Sequence, residues 1–270
     1  MTVMVTGGTG FVGSRLVRKL IMCSSSPIHV LIREESDLTH LPLSHHYPNL
    51  HIYQERSFPL LLKKLRVSTL FHLAAHKHKH SDRGSDVYKI NFDFSKNIWA
   101  AAIKENVELF VNAGSYWQFN HLGQISPLNQ YAQAKQDFHN IAVRSSRRHF
   151  TNFTSLILYD VYGERDWRPG LFPDFVKAAK GQPVEMTNGY QLISPIHVDD
   201  VVDAFISVLS SKTSLLKQGG LKPKYYVGTG KRMSVRQIAL LVEREVGTEL
   251  DFRWGKLAGN TGVPISPCRP

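Results

Sequence analysis

Cysteine is almost missing from this chain: 270 residues contain two, Cys23 and Cys268. So few and so distant, they support neither a disulfide framework nor the paired spacing of a zinc site. Long apolar runs are missing as well, and nothing reads as a membrane span. The apolar residues nearest the N-terminus belong to a strand pattern and not to a signal peptide. No internal repeat or low-complexity tract appears. Acidic residues fall short, 22 Asp and Glu against 33 Lys and Arg, for a net charge of +11. The excess is scattered over helical stretches (Arg15, Arg18, Lys19, Arg144, Arg147, Arg148) without the basic and aromatic interleaving of RNA readers. It fits a multiply anionic small ligand better than nucleic acid. With a hydrophobic fraction of 42%, ordinary for a folded domain, the reading is a cytoplasmic globular protein with one large core and a smaller lobe.

The most informative segment present is Val3–Leu16. A short apolar run breaks at Thr6 into a glycine loop, and an amphipathic stretch with Leu16, Val17 and Leu20 on one face follows. Strand, glycine turn and helix form the context in which such a loop holds a dinucleotide pyrophosphate. Gly7 permits the turn, Gly10 lets backbone approach phosphate, and Gly13 lets the helix pack on the strand. The helix N-terminus offers its unpaired N–H groups to the anion. Apolar segments alternate with helical patterns over the first two thirds, which predicts an α/β fold with a doubly wound parallel sheet. Candidate strands are Val3–Thr6, His29–Arg33, Leu70–Ala74, Leu109–Ala113, Thr154–Tyr159 and Pro195–Val198. Candidate helices are 86–104, 130–148 and 199–211, with 212–224 as a crossover loop. Ser234 and Gln237 form a capping-box pattern for a helix that Gly247 should end. We assign residues 1–162 and 194–218 to the dinucleotide-binding domain, and 163–193 and 219–270 to a substrate lobe.

The residue closing the second strand is Arg33. An acid there would bind both ribose hydroxyls; a guanidinium pairs instead with a 2′-phosphate, favouring NADP over NAD. Glu34 and Glu35 follow directly, and a solvated strand-end arginine is the bland alternative. Tyr131 and Lys135 lie four apart, on one face of a helix. A phenol titrates near pH 10, and a neighbouring ammonium should lower that value. Ser115 ends the preceding strand, at the sheet edge where ligands bind, and could hold a carbonyl oxygen while Tyr131 donates a proton.

Together, Thr6-Gly-Gly-Thr-Gly-Phe11-Val12-Gly13, His72-Leu73-Ala74-Ala75, Asn91, Ser115 and Tyr131-x-x-x-Lys135 resemble the extended short-chain dehydrogenase/reductase family, also described as NAD-dependent epimerases and dehydratases. The segments 110–118, 158–163 and 168–173 look most like reductases of nucleotide-linked 4-keto-6-deoxyhexoses, of the CDP-abequose synthase type, which serve surface-polysaccharide (O-antigen) synthesis. The resemblance implies a Rossmann fold and NADPH delivering hydride to C4, with Tyr131 protonating the alkoxide, Ser115 polarising the carbonyl and Lys135 orienting the nicotinamide ribose. It adds Phe11, Val12, Glu55, Leu73, Ala74, Ala75 and Asn91 to the cofactor contacts. Substrate contacts would come from His76, Ser115, Tyr116, Asp160, Arg168 and Leu171. Asp160 stands where many members carry Asn, and Ile193 and Ser194 stand where an arginine is usual, so Arg168 is the candidate for the diphosphate. After Gly255 the resemblance ends.

Tyr116 and Trp117 occupy the positions where related dehydratases carry an Asp-Glu pair, so dehydration is rejected. A 4-epimerase using the same trio remains an alternative, as does a catalytically silent NADP-binding sensor or scaffold. The alternating run His76–His80 lacks a carboxylate or cysteine to complete a metal site, and no metal is expected. The family also implies a homodimer through the 86–104 and 130–148 helices, with Phe92, Ile98, Trp99, Phe138 and Ile141 as candidate interface residues.

Overall fold

A computed structural model describes residues 1–42, 44–76 and 84–257. The strands are β1 (Val3–Thr6), β2 (Ile28–Ile32), β3 (Leu50–Gln54), β4 (Thr69–His72), β5 (Leu109–Ser115), β6 (Asn152–Leu158), β7 (Asp160–Tyr162), β8 (Val184–Glu185), β9 (Leu192–Ile193), β10 (Pro195–His197), β11 (Lys224–Val227), β12 (Met233–Ser234) and β13 (Phe252–Arg253). The helices are α1 (Phe11–Cys23), α2 (Phe58–Leu65), α3 (Gly84–Lys104), α4 (Gln130–Ser146), α5 (Leu171–Ala179), α6 (Val198–Ser210), α7 (Lys212–Lys217) and α8 (Val235–Val246).

Seven strands form one wholly parallel sheet in the order β11-β6-β5-β4-β1-β2-β3. The expected α/β Rossmann-like architecture is therefore what the chain adopts. Strand alternation divides the core between two faces. Val3, Val5, Leu109 and Val111 point to one side, where Leu16, Val17 and Leu20 of α1 and Val201, Val202 and Phe205 of α6 cover them. Met4, Leu31, Leu70 and Phe110 point to the other, against Leu62 of α2, Ile98 and Trp99 of α3, and Phe138 of α4. Because both faces are covered, the central strands carry near-continuous apolar residues. The order reverses between β1 and β4, opening the crevice at the carboxyl ends of those strands.

Four expectations change. The segment expected as a crossover loop opens with a short helix, α7 over Lys212–Lys217, before the chain reaches β11. Residues 224–227, assigned from sequence to the substrate lobe, are the edge strand of the main sheet, pairing Lys224–Val227 with Ser155–Leu158. Residues 195–197 form a strand outside that sheet: β10 pairs with β7 alone, and Val198 already begins α6. Ile98, Trp99 and Phe138 are not interface residues. Trp99 is 2% exposed, meets Phe110 and Phe153 edge-on at 5.1 and 5.4 Å, and donates its indole N–H to Ser145 Oγ at 2.7 Å. Sheet packing outcompetes a dimer for these side chains. Phe92 and Ile141 are half-buried.

A third apolar cluster joins α5, α8 and the short strands, with Phe175, Val184, Ile193, Ile238 and Phe252 at its centre. Ser234 and Gln237 cap α8 reciprocally, and Gly247 ends it at φ +78°. Among the described residues no helix is long and apolar enough to cross a membrane, and no cluster of three His, Cys, Asp or Glu could hold a metal.

Candidate active site

The turn after β1 is built from backbone packed on backbone. Gly7 has φ +72°, and a Cβ there would lie 2.4 Å from Ala74 N. A Cβ on Gly13 would lie 2.1 Å from the Gly7 carbonyl oxygen. Only glycine fits either position. Gly10 N–H donates to Gly7 O at 3.0 Å, and Gly10 caps α1 with no side-chain hydrogen bond. The first amides of the helix, at Phe11 and Val12, thus have no side-chain cap and form an anion cradle. This arrangement fits a dinucleotide pyrophosphate.

Leu73, Ala74 and Ala75 continue from β4 across the face of this turn. Leu73 N–H donates to Thr6 O (3.0 Å) and Ala74 N–H to Thr6 Oγ1 (3.4 Å). The Asn91 amide clamps the next residue to α3: its Oδ1 accepts from His76 N–H, and its Nδ2 donates to the carbonyls of His76 and Val87. Residues 77–80 of the histidine run lie outside the described residues, as does the tail from residue 258. Beneath the turn, His72 is fully buried between Thr6 Oγ1 (2.8 Å) and Ser95 Oγ (2.9 Å). Burial, reinforced by the Lys135 charge, pushes its pKa down to about 3, so the ring is neutral.

Arg33 is exposed just beyond β2, and its backbone N–H donates to Ser36 Oγ at 3.0 Å. Glu55, at the end of β3, is raised above the ordinary carboxylate range chiefly by burial. The Arg33 charge opposes that shift and Glu35 adds to it. Arg33 therefore shares its surroundings with two carboxylates.

Ser115 closes β5 and caps a short turn over Tyr116–Gln118. Its Oγ accepts the Trp117 N–H at 3.3 Å, while its own N–H donates to Gln118 Oε1 at 2.9 Å. The opening turns of α4 bring up Tyr131 and Lys135, after Asn129 Oδ1 caps the helix by accepting from Ala132 N–H. Lys135 Nζ donates to the Ala113 carbonyl at 2.7 Å and stands 5.3 Å from the centre of the Tyr131 ring. The structure thus draws Ser115, Tyr131 and Lys135 onto one edge of the sheet. It reverses one expectation: burial pushes the Tyr131 phenol above its ordinary range instead of the ammonium lowering it. The lysine is turned to a carbonyl on β5, and desolvation prevails.

Of the proposed substrate contacts, Tyr116 and Asp160 engage each other, and the others are held by neighbours outside that set. Tyr116 is buried, stacks on Tyr159 at 5.3 Å and donates its hydroxyl to Asp160 Oδ1 at 2.9 Å. Asp160 Oδ2 accepts the Ser194 N–H at 2.9 Å. Arg168 forms a fork with Asp166, with Nε at 2.7 Å and Nη2 at 2.6 Å, and lies 4.2 Å over the Phe11 ring. It bridges the loop after β7 to the glycine turn. Leu171 opens α5 and packs half-buried on the lobe cluster. Sequence reasoning overlooked Trp167, stacked on His40 at 3.4 Å and edge-on to Phe11 at 5.6 Å. It also overlooked Gln118, although Ser115-x-x-Gln118 is a capping-box pattern.

The fold and these groups define an α/β protein of Rossmann-like architecture, with a glycine turn after β1 and a hydroxyl, a phenol and an ammonium gathered where β5 meets α4. The chain belongs to the NAD dependent epimerase/dehydratase family, whose match covers residues 3–223. It is 23% identical to the CDP-abequose synthase of Salmonella typhimurium over 94% of this chain and 85% of that protein. It is 25% identical to a putative UDP-glucose 4-epimerase of Methanocaldococcus jannaschii, over 91% and 82% respectively. Among solved structures, the Thermus thermophilus UDP-glucose 4-epimerase in complex with NAD superposes with a TM-score of 0.83 at 20% identity, covering 100% of this chain and 90% of that one.

Proposed function

We propose that this protein is an NADPH-dependent reductase of the C4 keto group of a nucleotide-diphospho-4-keto-6-deoxyhexose, CDP- or dTDP-linked. The observation that carries this reading is the state of the two hydroxyls. Ser115 Oγ already accepts an N–H, which leaves its proton available for donation to a carbonyl oxygen. The Tyr131 phenol, raised by burial, holds its proton at neutral pH until charge develops on that oxygen. A reduced dinucleotide held by its pyrophosphate at the glycine turn would supply the hydride from its nicotinamide. Lys135, donating to Ala113 O, is the residue we assign to orient the nicotinamide ribose. Tyr116 and Trp117 supply no acid–base pair for water elimination. Arg33 supports NADP, and the similarity to CDP-abequose synthases supports the 4-keto sugar.

A 4-epimerase is the second reading, favoured by Glu35 and Glu55 beside Arg33 and by the epimerase relative. NADPH oxidation with CDP- and dTDP-4-keto-6-deoxyhexoses, followed by NMR of the product, separates the two. Interconversion of hexose epimers without net NADPH consumption would defeat the reductase. We also propose a homodimer through the outer faces of α3 and α4, where Ile90 is 45% exposed. Light scattering should give twice the chain mass at micromolar concentration; a monomer there ends that part of the proposal.

A further inference from the structure

Side-chain amides stand in single file behind the Ser115 turn. Ser115 N–H donates to Gln118 Oε1, Gln118 Nε2 donates to Gln136 Oε1, and Gln136 Nε2 donates to Asn140 Oδ1, each at 2.9 Å. Gln118 is 1% and Gln136 2% exposed, so water does not replace these partners. A backbone N–H can only donate, so Gln118 must turn its oxygen to Ser115 and its nitrogen to Gln136. That choice in turn orients Gln136 and Asn140. The file therefore has a direction, set at its first member.

Its two ends lie on the two elements whose relative placement matters most. One is the end of β5, which carries Ser115; the other is α4, where Gln136 directly follows Lys135. Space for the first amide depends on Gly114: a Cβ there would stand 3.1 Å from Gln118 Oε1 and 2.5 Å from Ile157 Cδ1. Capping alone needs only Ser115 and Gln118. Continuation into α4 ties the hydroxyl-bearing turn to the phenol-bearing helix.

We propose that Gln118 is a positioning residue. Its amide, acting through Gln136, fixes the Ser115 hydroxyl relative to the Tyr131 phenol so that both address the same substrate oxygen. Neither glutamine touches the reacting atoms. The kinetic consequence rests on the ketoreductase reading; the geometric one does not.

The test compares Gln118→Met with Gln118→Glu. Methionine matches the volume but ends the file. Glutamate still accepts from Ser115 N–H and, kept protonated by burial, donates its O–H to Gln136 Oε1. A packing role ranks methionine as the milder change, because glutamate buries a carboxyl; positioning predicts the reverse. With NADPH and a CDP-4-keto-6-deoxyhexose, Gln118→Met should lose about 30-fold or more in kcat, since a misplacement near 1 Å can cost about 100-fold. KM and the NADPH Kd should move less than about threefold, and Gln118→Glu should keep kcat within about fivefold of wild type. Gln136→Met repeats the test from the helix side should Gln118→Met fail to fold. A Gln118→Met enzyme with more than a third of wild-type kcat, or with its loss confined to KM or cofactor binding, overturns the proposal. So does failure of both methionine variants to fold, which would show that the amides hold the fold. If wild type does not reduce the 4-keto substrate, the functional reading fails instead. Crystal structures of wild type and Gln118→Met then decide the positioning, which is overturned if Ser115 Oγ keeps its place relative to Tyr131 Oη within about 0.5 Å.

Discussion

At the scale of single residues, Tyr131 carries the most exposed prediction. Tyr131→Phe should lower kcat by about 10²–10⁴-fold, the usual worth of a positioned general acid, while the NADPH Kd stays nearly unchanged. More than a tenth of wild-type turnover would remove Tyr131 from the mechanism. Because burial raises the phenol, its proton is retained throughout the neutral and mildly alkaline range, and kcat should be flat from pH 7 to pH 9. Arg33→Asp tests the cofactor. Replacing a guanidinium by a carboxylate beside Glu35 and Glu55 should weaken NADPH and favour NADH. Equal Kd values before and after would show Arg33 to be a solvated side chain. Ser115, Tyr131 and Lys135 are legible in the sequence because a four-residue helical spacing and a strand end are local patterns. The partner of Lys135 is not, because Ala113 meets it only through the packing of α4 on β5. For the same reason the direction of the Tyr131 shift could not be read: sequence shows a neighbouring charge but not the loss of water.

Among the elements, those buried on both faces announce themselves. β1, β4 and β5 are apolar runs because helices cover each side. β3 and β11 escaped notice, since each is an edge strand: Leu50–Gln54 carries His51 and Tyr53, and Lys224–Val227 carries a lysine and two tyrosines. Half-exposed strands dilute their apolar content, and short ones offer too few residues to show alternation. The longer helices α1, α3, α4, α6 and α8 are legible in the sequence, α2 and α5 are not, and α7 stands where the pattern reads as a crossover loop. The destination of the large side chains is not legible either. Trp99 reads as surplus on a helical wheel and proves to be a keystone between α3 and the sheet. Trp99→Glu should therefore cost at least about 3–5 kcal/mol through the lost aromatic and the buried charge. The expected outcome is a lower midpoint in urea, not a folded monomer. A stable, well-folded Trp99→Glu protein would contradict this packing.

For the molecule as a whole, buried histidines couple folding to pH. His72 is lowered to about 3, and His29 and His139 to about 4, each chiefly by burial. Once unfolded, these rings regain a pKa near 6.5. The unfolded chain then binds more protons as pH falls through 6.5, so stability contributed above that value is lost progressively toward pH 4. Calorimetry should show Tm decreasing from pH 7 to pH 4.5, with net proton uptake on unfolding; a Tm independent of pH in that window would contradict the burial of these rings. The edge strand β11 has another consequence, for the chain during its synthesis. β6 lies between β5 and β11, and its outer partner begins at Lys224, far downstream of Ser155. While a ribosome is still making the intervening segment, β6 presents bare backbone donors and acceptors to the cell, as an open edge that can recruit other nascent chains. A polypeptide released before residue 227 keeps that edge permanently, so premature termination there should yield insoluble material even though the glycine turn and all three members of the Ser115, Tyr131 and Lys135 group have already been translated.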